Sequence, residues 1–237
     1  MDLQRFLWYP IEDLPFIALA LIIAFTVHEF AHAYSAYKFG DDTAYKAGRV
    51  TLNPRVHLDV LGTILLLIAG FGWAKPVPVM PGRFKHPRLM GIVVSAVGPI
   101  SNLLMAVIGM LVLYILNQTG VLHAGSQGVY LALVHFFYYL ITLNLLLFIF
   151  NLIPLPPLDG YRILSDLMPL KIRYKMDQNV QWGMFIFLLM VFIPPLREVT
   201  LTPVLGLQWD IFFILRDFFD YVFSPLDWQS LIIDFAM

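Results

Sequence analysis

Apolar residues in this chain run in long blocks that are nearly free of charge, rather than at the spacing of an amphipathic soluble helix. A helix needs about 20 such residues to cross roughly 30 Å of hydrocarbon. Residues 14–37, 89–116 and 129–153 meet that length, and the first is interrupted only by His28, Glu29 and His32. Residues 178–196 are uncharged up to Pro194-Pro195 and read as a fourth span. Residues 60–73 are apolar but short, as expected of a re-entrant or interfacial segment. Residues 199–223 mix aromatics with Asp210, Arg216, Asp217 and Asp220, which predicts an interfacial amphipathic helix or a poor span. Between the blocks, 46–53 alternates in strand fashion, and 75–80 has prolines two apart, as an edge strand tolerates. The pattern predicts an all-α polytopic membrane protein. It should have about four to six transmembrane helices, a short re-entrant segment and a small membrane-associated β-sheet.

Composition agrees with lipid as the solvent. The chain is 59% hydrophobic and 13% charged, against about 25% charged in a soluble domain. A net charge of −1 excludes the basic footprint of a nucleic-acid binder. There is no cysteine, so a metal would have to be held by His, Asp or Glu. The first block carries an ionisable cluster, unlike a cleavable signal peptide. Lys38, Lys46, Arg49 and Arg55, then Lys75, Arg83, Lys85 and Arg88, then Arg162, Lys171, Arg173 and Lys175 follow successive blocks, whereas 117–128 has no Lys or Arg. The basic segments are therefore expected on the cytoplasmic side of a cell membrane. This orientation closes only if 60–73 enters and leaves on one side. No repeat or low-complexity tract is present, and the chain reads as one membrane domain over 1–237. Its core covers about 14–165, and C-terminal membrane or interfacial helices cover about 178–237.

The cluster in the first block is His28-Glu29-Phe30-Ala31-His32. Positions i and i+4 share one helix face, so both imidazoles can address one metal, with Glu29 beside them to take a proton. An ionisable group at the centre of a membrane helix costs roughly 2.5–3.5 kcal/mol, so three within five positions call for a compensating ligand. A catalytic zinc of this type takes three protein ligands and leaves one position for water. Candidates for the third are His57, His86, His123, His135 and acids at membrane depth. Asp159 is the best placed, at the end of Asn151-Leu-Ile-Pro-Leu-Pro-Pro-Leu-Asp-Gly160, where three prolines prevent a regular helix. Broken backbone at membrane depth is tolerated where it lines a buried or watery cavity. The alternative is a helix end with a solvated Asp. His57 either belongs to the site or anchors a turn. Asn102, read at a Gly-Pro-broken helix start, either hydrogen-bonds near the site or packs helices together. His135 and Asn144 read as interhelical hydrogen bonders, and the aromatic clusters as membrane belts.

The HExxH element, Asn53-Pro-Arg-Val-His57, Gly98-Pro-Ile-Ser-Asn102 and Asn151 to Leu158-Asp159-Gly160 occur in one order. Together they resemble the site-2 protease family of intramembrane metalloproteases, in a minimal form without PDZ or CBS domains. The resemblance covers roughly residues 14 to 165. It implies one Zn2+ per chain on His28, His32 and Asp159, Glu29 as the catalytic base, and Asn151 as a substrate or oxyanion donor. The mechanism it implies is hydrolysis of a peptide bond in or near a transmembrane segment, with a membrane protein as substrate and the lipid bilayer as surroundings. Ten residues separate His28 from Lys38, which puts the metal about 15 Å inside the cytoplasmic boundary. An unwound substrate could be held extended as a strand added to 46–53 or 75–80. Two rival readings use the same residues: a membrane metal transporter or sensor, and an inactive relative that binds membrane helices. A transporter needs no general base and should line a polar path across the bilayer, where this chain offers little beyond His123.

Overall fold

A computed structural model describes residues 9–69 and 72–228. The first apolar block forms α1 (Leu14–Lys38). Ile17, Ala20, Leu21, Ala24, Phe25, His28 and His32 recur at helical spacing along its buried face. A short turn, α2 (Thr43–Lys46), and α3 (Val60–Ala69) follow. Two long helices, α4 (Pro87–Gln118) and α5 (Gln127–Leu152), then pack on α1 and on each other. Ala20, Ala24, Ala33, Ala36 and Ala106 are all fully buried. Lipid tails are as apolar as leucine, so membrane helices associate by close packing, and small residues allow the closest approach.

Beyond α5 the chain folds into α6 (Asp159–Leu167), α7 (Leu170–Gln178), α8 (Val180–Phe192) and α9 (Pro194–Val222). Among the described residues, four helices are long and apolar enough to cross a membrane: Ile11–Lys38, Pro87–Gln118, Gln127–Leu152 and Pro194–Val222. The last two expected elements exchange roles. The uncharged block 178–196 yields α8, whose 13 residues rise only about 20 Å, short of the hydrocarbon core. Pro194 and Pro195 cannot continue α8 but suit the first turn of the next helix. In the charge-bearing stretch that becomes the long helix α9, three of the four expected charges, Arg216, Asp217 and Asp220, find partners. Arg216 pairs with Asp217, and the Tyr114 hydroxyl donates to Asp220 at 2.5 Å. Residues 229–237 of the expected C-terminal segment lie outside the described residues.

The expected β-sheet is absent: no strand occurs among the described residues, only an isolated bridge between Leu58 and Ala74. Within 46–53, Lys46 ends α2 and Gly48 turns the chain at φ +68°. The 75–80 stretch is extended, but side chains and a loop carbonyl take three of its amides. Lys75 N–H donates to the His57 carbonyl (2.8 Å), Val77 N–H to Glu29 Oε2 (3.1 Å) and Met80 N–H to Asp41 Oδ2 (2.6 Å). Pro76 and Pro78 have no N–H to give. The Leu58–Ala74 bridge brings the two ends of the expected re-entrant stretch together; its residues 70–71 lie outside the described residues. Gly98-Pro99 also departs from expectation, since both residues lie inside α4 rather than at its start.

Candidate metal centre

His28 and His32 sit one turn apart on the buried face of α1, 6% and 8% exposed. Their Nε2 atoms are 3.0 Å apart, and each lies 3.2 Å from Asp159 Oδ2. Among the described residues, these three form the single group of His, Asp or Glu side chains converging closely enough to hold a metal ion. Ligand atoms about 2.0 Å from a tetrahedral zinc lie roughly 3.3 Å from one another. Three donor atoms 3.0–3.2 Å apart therefore fit three corners of such a site.

Each imidazole is turned by a hydrogen bond at its other nitrogen. His32 Nδ1–H donates to the Val94 carbonyl at 2.6 Å, and His28 Nδ1–H to Asn102 Oδ1 at 2.7 Å. A proton on Nδ1 leaves the Nε2 lone pair free for a metal. Gly98 makes room for this arrangement. A Cβ there would come within 2.3 Å of His32 Nε2 and 2.8 Å of His28 Cε1. The Gly98-to-Asn102 element is thus a gap and a hydrogen-bond acceptor, one turn apart on the face of α4 that meets α1.

Asp159 arrives from 127 residues away in sequence. After α5 ends at Leu152, Pro154, Pro156 and Pro157 keep the chain out of a helix until Asp159 begins α6. Gly160 lets that start press against the end of α5, because a Cβ there would meet the Leu152 carbonyl oxygen at 2.3 Å. A backbone atom cannot move aside as a side chain can.

Glu29 is 8% exposed and lines the same cavity of about 180 Å³ as the three donors. That is room for several waters. One carboxylate oxygen accepts the Val77 N–H. Arg49, itself buried, donates to the carbonyls of Lys75 and Pro76, which fixes the segment that presents Val77. Burial holds the Arg49 pKa below its ordinary value, and the Glu29 carboxylate works against that shift.

Asn151 lies on the last turn of α5 and lines the cavity, with its amide donating to the Leu147 carbonyl at 3.0 Å. Asn102 stands behind His28 rather than in the cavity. His57 is outside the cavity and fully buried, and its Nε2–H donates to the Thr51 carbonyl at 2.7 Å. It anchors the turn and receives Lys75. Of the other candidate ligands, His135 pairs with Asp13 at 2.7 Å and His123 lies 3.2 Å from Asn117. His86 precedes α4.

Sequence reasoning missed the Val94 carbonyl, the Val77 amide and the clamp by Arg49. Backbone groups carry no residue signal, and Arg49 read only as one more positive charge. It also missed Arg162, one turn beyond Asp159 on α6 and lining the cavity.

Residues 119–193 match the family described as Peptidase family M50. The chain is 51% identical over 226 residues to a Bacillus subtilis (strain 168) protein named "Putative zinc metalloprotease YwhC", covering 94% of this chain and 100% of that one. It is 29% identical over 182 residues to "Putative zinc metalloprotease Rip2" of Mycolicibacterium smegmatis, covering 75% of this chain and 66% of that protein. The protein of the same name from Mycobacterium tuberculosis strain H37Rv is 30% identical over 181 residues, covering 73% of this chain and 65% of its own length. No solved structure matches the chain.

Proposed function

Because the chain belongs to peptidase family M50, the site-2 zinc metalloproteases, we propose that it is an endopeptidase that cuts membrane proteins in or beside the bilayer. The observation that carries this reading is the convergence of His28, His32 and Asp159 beside Glu29, on and against a helix long enough to span a membrane. In this reading His28, His32 and Asp159 hold the zinc. Bound there, zinc would polarise a substrate carbonyl and acidify an attacking water. Glu29 takes the proton of that water with the oxygen not committed to Val77, then returns it to the leaving amine. Asn151 points at the same cavity and has a second amide hydrogen for the developing oxyanion.

The substrate in this reading is a transmembrane segment, unwound because a helix hides its own peptide bonds. The extended 75–80 segment is the edge on which it would lie. Val77 and Val79 face the cavity, and Val79 N–H has no hydrogen-bond partner among the described residues. The distribution of Lys and Arg supports a site toward the cytoplasmic side of the cell membrane.

Purified wild type and Glu29→Gln, assayed side by side for zinc content and for cleavage of a single-span substrate, test the proposal. About one zinc in each, with cleavage by the wild type alone, is the expected result. Cleavage by Glu29→Gln at the wild-type rate would remove Glu29 from the mechanism. Zinc in both without cleavage by either would favour a metal sensor or transporter.

A further inference from the structure

We propose that Asn144 on α5 is a positioning residue for the metal centre, and that it fixes the His28 ring through Asn102. The two histidines are held differently. His32 donates to a backbone carbonyl, which can only accept. His28 meets a side-chain amide, which could offer either its oxygen or its NH2 at that place.

What decides is the next group along. Asn102 Nδ2 lies 2.9 Å from Asn144 Oδ1 and 3.5 Å from the Ala24 carbonyl. Asn144 Nδ2 lies 2.7 Å from the Leu140 carbonyl. That carbonyl accepts only, so Asn144 must turn its NH2 toward Leu140 and its oxygen toward Asn102. Asn102 then turns its own NH2 away from His28 and gives it the oxygen. His28 carries its proton on Nδ1, and Nε2 keeps the lone pair that faces Asp159.

The relay runs from the α5 backbone through α4 to α1. Asn102 and Asn144 are both 0% exposed. Flipping either amide would set donor against donor or acceptor against acceptor where no water can relieve it. Polar residues that link membrane helices by hydrogen bonds are common. This pair does more, because its far end sets the tautomer of a metal ligand.

The test is zinc affinity, measured by competition with a chromogenic chelator on purified protein in detergent, with the cobalt-substituted absorption spectrum as a second readout. Loss of a group that orients a ligand typically weakens metal binding about 10–100-fold. Asn144→Leu is expected to fall in that range and to alter the cobalt spectrum. Asn102→Leu should do the same, and the double variant should be no worse than Asn102→Leu alone. Asn102→Asp supplies an acceptor that has no NH2 to misplace. Asn102→Asp/Asn144→Leu should therefore bind zinc within a few-fold of wild type.

A residue that merely packs α4 against α5 would lower thermal stability, leave zinc affinity and the cobalt spectrum unmoved, and give no rescue. That result would overturn the proposal. If Asn144→Leu alone does not fold, the rescued double variant decides. Wild-type-like zinc binding supports the relay, and its absence refutes it.

Discussion

Gly98→Ala puts one methyl group into the candidate metal centre and tests its geometry. The new Cβ would stand 2.3 Å from His32 Nε2, 2.4 Å from His32 Cε1 and 2.8 Å from His28 Cε1. Ordinary contact is about 3.5 Å or more between such atoms, so the overlap with His32 is close to 1 Å. A free imidazole could swing aside, but this one is held by its bond to Val94. Swinging it breaks that bond, at about 0.5–1.5 kcal/mol. Moving α4 instead carries Asn102 away from His28 and incurs an overpacking cost of about 1–3 kcal/mol. Either response moves at least one Nε2 out of the arrangement that converges on Asp159. Removing a group that only orients a ligand costs about 10–100-fold in metal affinity, and displacing the ligand itself should exceed that. The expected outcome is zinc binding weakened at least about 100-fold, with activity falling in step. Gly109→Ala in the same helix is the control. Its Cβ would meet Ile141 and Leu140 side chains at 3.3 Å, a contact those side chains can relieve. Chelator competition and zinc content on both variants settle the matter. Full zinc at wild-type affinity in Gly98→Ala would refute the placement of α4 against the histidines.

Two further outcomes follow from the segment that crosses the site. Fully buried Asp41 accepts Met80 N–H and both the N–H and hydroxyl of Thr43. Burial opposes its ionisation, but those hydrogen bonds and Arg83 outweigh it and hold the carboxyl below its ordinary value of 3.8. A depressed carboxyl adds stability that is complete above its ordinary value and lost as pH falls through the folded one. Asp41→Asn should cost about 1.5–3 kcal/mol near neutrality and flatten the loss of stability in acid. Parallel Tm-against-pH curves for the two proteins would disprove this. Val79→Pro removes the unpartnered amide and leaves the Val77 bond to Glu29 in place. Cleavage of a single-span substrate should drop about 10-fold, the loss of roughly one hydrogen bond, with zinc content unchanged. Cleavage at the wild-type rate would rule out this edge as a strand-pairing site.

The long apolar blocks and the HExxH element were legible because both depend on local geometry. Hydrophobic length gives a span, and the helical period puts His28 and His32 on one face. The exchange between α8 and α9 was not legible. A count of charges cannot tell that Arg216 and Asp217 pair, or that Asp220 lies beneath Tyr114. The alternation in 46–53 and 75–80 suggested strands, yet a sheet needs a partner for its amides, and His57, Glu29 and Asp41 had taken those of Lys75, Val77 and Met80.

By itself, then, the sequence determined that this is a membrane protein with two imidazoles on one face of an apolar helix and a proline-broken stretch ending in an acid. Only the tertiary structure decided that Asp159 completes the trio, and that each imidazole faces it with the right nitrogen. A pair at i and i+4 is set by the rise of a single helix. A contact between residues 127 positions apart depends on how closely α4 and α6 can approach α1, and on a hydrogen-bond chain that begins at a backbone carbonyl of α5.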